Sequence, residues 1–157
     1  TNIIQNQFQN KGIIICFAKV NKIKTKNLGY LGLVAGMCKE LNISEIVNNH
    51  IIKGDQRTLS HGDAVVSMIL NGLGFTGTPL YMSPQYFKDK PVSELLEKDI
   101  EAENINDIAL GRTLDKIYEY GINDLFSKIA SNAVKTLGVE SKIAHLDSTA
   151  FATHIEE

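Results

Sequence analysis

The segment Lys142-Ile-Ala-His-Leu-Asp-Ser-Thr-Ala-Phe151 carries the residues best placed to do chemistry. Its apolar side chains fall on both faces of an extended chain, as in a buried central strand, and Asp147 stands among them. A carboxylate at such a place is positioned to bind a divalent cation. Two-metal phosphoryl transfer uses several acids of this kind to hold ions that polarise a phosphate and activate water or a 3′-hydroxyl. Asp147-Ser-Thr149 also reads as an Asx or Ser/Thr turn, in which the acid only closes a loop. His145, Ser148 and His154 lie close by in sequence. Neighbours on a strand point to opposite faces, so these residues do not make a Ser-His-Asp triad by themselves. His145 shares a face with Asp147, which leaves the histidine a supporting role behind the acid.

Other constellations are weaker. Gly72-Leu-Gly-Phe-Thr-Gly77 has the Gly-x-Gly-x-x-Gly spacing, but it follows a helical pattern instead of a strand and exits through Thr78-Pro79. Dinucleotide binding needs a strand before the glycines and a helix after them, so a tight helix-ending loop is expected. His50, Asp55, His61 and Asp63 fit no ligand spacing, and helix capping accounts for the last two. Lys39, Lys53 and Arg57 suggest a small basic face. A helix-turn-helix over 31–52 has a short second helix without a basic pair at its start.

The elements that must position these residues are helical. Leu31, Val34, Ala35, Cys38 and Leu41 have helical spacing, and Ser44 is expected to cap a short helix over 45–51. Ser60 followed by Asp63 resembles a capping box, opening a helix with Ala64, Val65, Met68, Ile69 and Gly72 on one stripe. Ser83-Pro84 and Lys90-Pro91 start two short helices, the second with Leu95 and Leu96 inside and Glu94, Glu97 and Asp99 outside. Asn106 caps a helix to Tyr120 with Leu110, Leu114, Ile117 and Tyr118 inward, ended by Gly121. Asn123 is expected to cap the next, whose stripe Leu125, Phe126, Ile129, Ala130, Ala133, Val134 and Leu137 demands a partner helix before Gly138 closes it. Residues 106–138 therefore read as an antiparallel helix pair. Beyond Gly138 the period changes to that of a strand, with a second short strand conceivable at 13–17.

At 157 residues, with 43% apolar and 22% charged residues, the chain has the composition of one ordinary globular domain. Net charge is −2, yet residues 1–28 carry five lysines and no acid, which leaves −7 on the rest. A basic polar arm ahead of an acidic body is compatible with nucleic-acid contact, and equally with a solvated tail. Cys16 and Cys38 lie far apart and form no zinc or redox motif. No apolar run approaches the ~20 residues that span a bilayer. A cytoplasmic protein without membrane contact is expected. The chain starts at Thr1 and its first methionine is Met37, so both ends are expected to be truncated.

Several blocks in order carry a family resemblance: Leu31-Gly-Leu-Val-Ala-Gly-Met-Cys-Lys-Glu-Leu41, Ala64-Val-Val-Ser-Met-Ile-Leu-Asn-Gly-Leu-Gly-Phe75, Pro79-Leu-Tyr-Met-Ser-Pro84, Phe87-Lys-Asp-Lys-Pro91, Asn106-Asp-Ile-Ala-Leu-Gly-Arg-Thr-Leu-Asp115 and His145-Leu-Asp-Ser-Thr149. From about Asn27 to Phe151 the chain resembles the N-terminal part of a DDE-type insertion-sequence transposase. Its helical portion is similar to the domain of unknown function that opens one branch of that family. The resemblance implies a mainly α fold: a basic arm over 1–27, a helical domain over 28–140, and over 141–157 the first strand of a truncated ribonuclease-H-like α/β catalytic domain. It makes Asp147 the first of three acids binding Mg²⁺ or Mn²⁺ in the full-length parent, with the later Asp and Glu beyond Glu157. It implies transposon-end DNA and further copies of the transposase as partners, and no small-molecule substrate. With one carboxylate the fragment is expected to be inert alone and to bind no metal. The alternative expectation is a stand-alone helical protein-interaction module.

Overall fold

In the computed structural model, which describes residues 28–52, 58–73 and 78–139, 74% of those residues are helical and none lies in a strand. The mainly α architecture expected from the periodicities is therefore present. The expected strands at 13–17 and 142–151, and the basic arm over 1–27, lie outside the described residues.

Two helices open the domain, α1 (Leu31–Glu40) and α2 (Ile43–His50). The chain turns between them on Leu41 and Asn42, and Asn42 takes a left-handed φ of 52°, a conformation its short polar side chain tolerates. Helix α2 thus begins two residues earlier than expected. Ser44 is its second residue and not its cap, which frees the hydroxyl to face the next helix. That helix, α3 (His61–Gly72), starts as the capping signal predicts: Ser60 is extended, and its Oγ accepts the backbone N–H of Asp63 at 3.1 Å.

Helix α3 is the hub of the domain and packs against α1, α2, α5 and α6. Its apolar stripe was expected at Ala64, Val65, Met68, Ile69 and Gly72. Only Ala64 of these is buried, whereas Asp63, Val66, Ser67, Leu70 and Asn71 are also covered. A helix surrounded on several sides buries more than one stripe, and its polar residues must then find partners. Ser67 donates to the Asp63 carbonyl at 2.8 Å, and Asn71 Nδ2 donates to the Thr78 carbonyl at 3.1 Å.

A 3₁₀ turn over Leu80–Met82 leads into α4 (Ser83–Phe87), and α5 (Val92–Leu96) follows Pro91. Ser83, expected as a cap, is the first helical residue and fully buried, with Met82 in the capping position. The Tyr86 hydroxyl donates to the Leu70 carbonyl at 3.1 Å and ties α4 to α3. Leu95 is buried while Glu94, Glu97 and Asp99 are exposed, the two-sided pattern expected of α5. A second 3₁₀ turn, Ala102–Asn104, delivers the chain to α6. Val47, Leu70, Phe87, Ile105 and Leu110 are almost fully enclosed and belong to one continuous core.

The last helices are α6 (Asp107–Tyr120) and α7 (Ile122–Leu137), joined by Gly121 at φ 110°. Asn106 caps α6 as expected, its side chain accepting the Ala109 N–H at 3.0 Å. Asn106→Ala should lower stability by about 1 kcal/mol in urea denaturation, the usual cost of losing such a cap. Asn123, in contrast, is not a cap, because α7 already starts at Ile122. Leu110 and Thr113 are the buried residues of α6, whereas Leu114 and Tyr118, expected inside, are exposed. In α7 only Leu125 is buried, and Phe126, Val134 and Leu137 of the expected inner stripe face solvent. The reason is that α7 packs on both α6 and α2, so its orientation is not set by a single antiparallel partner.

Candidate functional site

Polar side chains converge where α2, α3 and the end of α5 meet. Asp63, in the first turn of α3, is only 3% exposed. Its Oδ1 accepts the Ser44 hydroxyl at 2.8 Å and its Oδ2 the Ser60 hydroxyl at 2.5 Å. Lys98, just past α5, reaches both oxygens at 2.7 Å. Asn48 completes the set: its Nδ2 donates to Ser60 Oγ at 3.1 Å, and its Oδ1 accepts the Gly62 N–H at 2.8 Å. Burial works to raise the Asp63 pKa. The hydrogen bonds from Lys98, Ser60 and Ser44, with the Lys98 charge, outweigh it and hold the carboxyl below its usual value.

This cluster forms part of the wall of a cavity of about 560 Å³ bounded also by α1, where Gly32, Ala35 and Gly36 present little side chain, and by Leu95. Cys38 borders the same space, and burial pushes its thiol pKa up, so it stays protonated and a poor nucleophile. At the rim Lys39 pairs with Glu97 at 2.6 Å. Both partners of that pair are well exposed, so it adds little to stability.

Chemically the cluster is a lock. Both Asp63 oxygens already accept two hydrogen bonds each, and the acid is kept ionised by a lysine. It has no lone pair left over for a metal and no raised pKa for general acid work. The expected explanation of Asp63 by helix capping is thus incomplete, since the residue also binds a second helix and Lys98. His61 is structural too. Thr113 gives its hydroxyl hydrogen to the Ala109 carbonyl at 2.9 Å, so His61 Nδ1 supplies the hydrogen of its 2.9 Å bond to Thr113. That contact ties α3 to α6.

A second, shallower depression lies between α2 and α7, lined by Ile46, His50 and Tyr120 with Asp124, Ser127, Lys128, Ser131 and Asn132 of α7. His50 donates from Nδ1 to the Ile46 carbonyl at 2.7 Å and meets the Tyr120 ring edge-on at 5.7 Å between centroids. Asn132 Nδ2 donates to the Leu41 carbonyl at 2.8 Å, so polar residues attach α7 to this side of the domain.

The structure therefore separates the residues that were grouped by sequence. His61 and Asp63 sit on α3, each with its own partners, His50 faces α7, and Lys39 is paired with an acid. Asp55, Lys53, Arg57 and the loop over 74–77 lie outside the described residues. So do Asp147, His145, Ser148 and His154. No group of three metal-binding side chains occurs among the described residues. Lys98, Asn48 and the contact role of Gly62 were not foreseen. Their only sequence signal is a lone lysine among the acids Glu94, Glu97 and Asp99 and a glycine inside a helix's first turn.

These features define a small α-helical domain built around a polar-locked hub helix. A family model described as Domain of unknown function (DUF4277) matches residues 23–131, and the chain belongs to that family. Comparison with curated proteins and with solved structures gave no significant match. No helix among the described residues is long and apolar enough to cross a membrane.

Proposed function

We propose that the chain is the N-terminal part of a DDE-type insertion-sequence transposase. In this reading the helical domain binds transposon ends, assembles the transposition complex, or does both, while cleavage and strand transfer belong to the full-length parent. The observation that carries it is the ordered series of blocks from Leu31 to Thr149, of which those up to Asp115 fall within the family match at residues 23–131. The helical domain adds indirect support. Asp63 and His61, the described residues that most resembled parts of a site, are engaged in holding the fold, and the candidate reactive carboxylate of this reading is Asp147, on the strength of the resemblance alone.

Asp147 would be the first acid of the triad and would help to hold Mg²⁺ or Mn²⁺ in the cytoplasm of the host cell. Bound ions would polarise the phosphodiester and activate the attacking oxygen. A single carboxylate offers too few donors for two such ions, so its role is to orient and share a metal with acids supplied elsewhere in the parent.

DNA binding is tested with the purified chain and a fluorescent AT-rich duplex across a salt series. Affinity should fall steeply with salt, and removing residues 1–27, which hold five lysines, should flatten that slope. Absence of binding at low salt would remove the DNA-binding half of the proposal. Mg²⁺-dependent nicking of the duplex by the chain alone would contradict the assignment of catalysis to the full-length parent. A second reading, a protein-interaction module, draws on the uncovered apolar face of α7.

A further inference from the structure

The cavity beside the Asp63 cluster carries more negative charge than its own lysines neutralise. Of the acids on its wall, Asp63 is paired with Lys98 and Glu97 with Lys39. Glu45 of α2 and Glu94 of α5 border it too, and neither has an ion-pair partner among the described residues. Gly32, Ala35 and Leu95 make an apolar stretch of the same wall. An occupant that suits both parts has an aliphatic stem and a cationic end, which is the chemistry of a lysine side chain.

The chain itself delivers lysines to the mouth. Leu28 lines the cavity, and its side chain lies over Gly32, where an added Cβ would come within 2.8 Å of Leu28 Cδ2. The residues before Leu28 therefore join the domain at the cavity's edge. They read Lys22-Ile-Lys-Thr-Lys-Asn27, within a stretch, residues 1–28, that holds five lysines and no acid. The family match begins at residue 23, so the approach to Leu28 is part of the family's domain.

We propose that Lys24 and Lys26 of the chain's own arm occupy this cavity and pair with Glu45 and Glu94. Side chains alternate along an extended chain, so both lysines fall on the same side as Leu28. At about 3.4 Å per residue they start about 14 and 7 Å from it, within reach of the space that Leu28 borders. Exposed ion pairs contribute little when the partners must find each other. Here a short tether holds the lysines at an effective concentration on the order of millimolar, and their stems gain cover against the apolar wall. Lysines held in the cavity are withheld from phosphate, so where the arm contacts DNA the cavity competes with it. The docking itself does not depend on the transposase reading.

A carbodiimide turns a lysine–carboxylate ion pair into an amide. Applied to an equal mixture of unlabelled and nitrogen-15-labelled full chains, it should give amides from Lys24 or Lys26 to Glu45 or Glu94, read by mass spectrometry as peptide pairs of a single isotope. These amides should be lost in a Glu45→Gln/Glu94→Gln chain, and also at about 1 M salt, where the screening length falls to about 3 Å. Both glutamates are exposed, so the double variant should keep its helix content by circular dichroism. Equal yields of amides to Glu103 and Asp115, exposed acids that do not line the cavity, overturn the proposal. So does the absence of amides to Glu45 and Glu94. A predominance of mixed-isotope pairs overturns it as well, by seating the arm of a second copy there. No DNA is present, so failure here and failure of the transposase reading are distinguishable.

Discussion

Gly62→Ala should destabilise the domain by about 3 kcal/mol or more, at the top of the range for overpacking or beyond it. A Cβ at this position would lie 2.0 Å from the Ser44 carbonyl oxygen and 2.6 Å from the Ser44 carbonyl carbon. Those are backbone atoms of α2, so no side-chain rotation relieves the clash, and the two helices must separate. Separation would in turn pull apart the Gly62 N–H bond to Asn48 and the Ser44 bond to Asp63, at 2.8 Å each. Gly62 does not have the positive φ of Gly29, Gly121 and Gly138, so the requirement is for space and not for backbone freedom. Gly36→Ala is the matched control. Nothing lies within 4 Å of its added Cβ, and it should stabilise by about 0.5–1 kcal/mol through the better helix propensity of alanine. Urea denaturation of both variants tests the claim, and equal shifts would show that the close approach of α2 and α3 is not limiting.

Lys98→Ala should cost about 2–3 kcal/mol at neutral pH. Breaking a buried pair usually costs somewhat more, and the Lys98 side chain is 47% exposed, so solvent screening reduces its share. The loss arises on the other partner, a carboxylate left enclosed without its cation. The pH dependence identifies it. In the native protein the Asp63 pKa is lowered, so its contribution to stability is complete above the unfolded value of about 3.9 and is lost as pH falls through the still lower folded value. Without Lys98, burial is opposed only by the Ser60 and Ser44 hydrogen bonds, and the folded pKa rises from its native position. The variant can then relieve its buried charge by taking up a proton, and the stability gap to the native chain should narrow as pH is lowered from 7 towards 4. A gap independent of pH would mean that Lys98 acts by packing its aliphatic stem and not by charge.

Both expectations concern contacts between segments distant in sequence, and this is where legibility from sequence ended. Local signals were accurate where the physics is local. Ser60 before α3 and Asn106 before α6 cap because a short side chain three residues upstream can reach an orphan N–H whatever surrounds it. Gly121 and Gly138 mark helix ends because each takes a positive φ. Ser44, Ser83 and Asn123 carried the same local signal but not the same role. Ser44 is claimed by Asp63, nineteen residues on, and α7 starts before Asn123. Asp63 was legible as a capping residue, yet its partnership with Lys98 spans 35 residues and leaves no periodic trace.

The sequence by itself determined that the described part of the chain is helical and where several of its helices begin and end, and it put Asp147 forward, by resemblance, as the carboxylate to examine for chemistry. Hydrophobic period, caps and breakers act over a few residues and need no partner to be recognised. Only the tertiary structure decided which faces are covered. It made α3 a hub with a polar interior and bound Asp63 and His61 into the fold. It also turned α7 so that the stripe of Phe126 and Leu137 looks outward. An apolar stripe records that a helix has something to bury. What buries it depends on the arrangement of all the other helices, which no local pattern encodes.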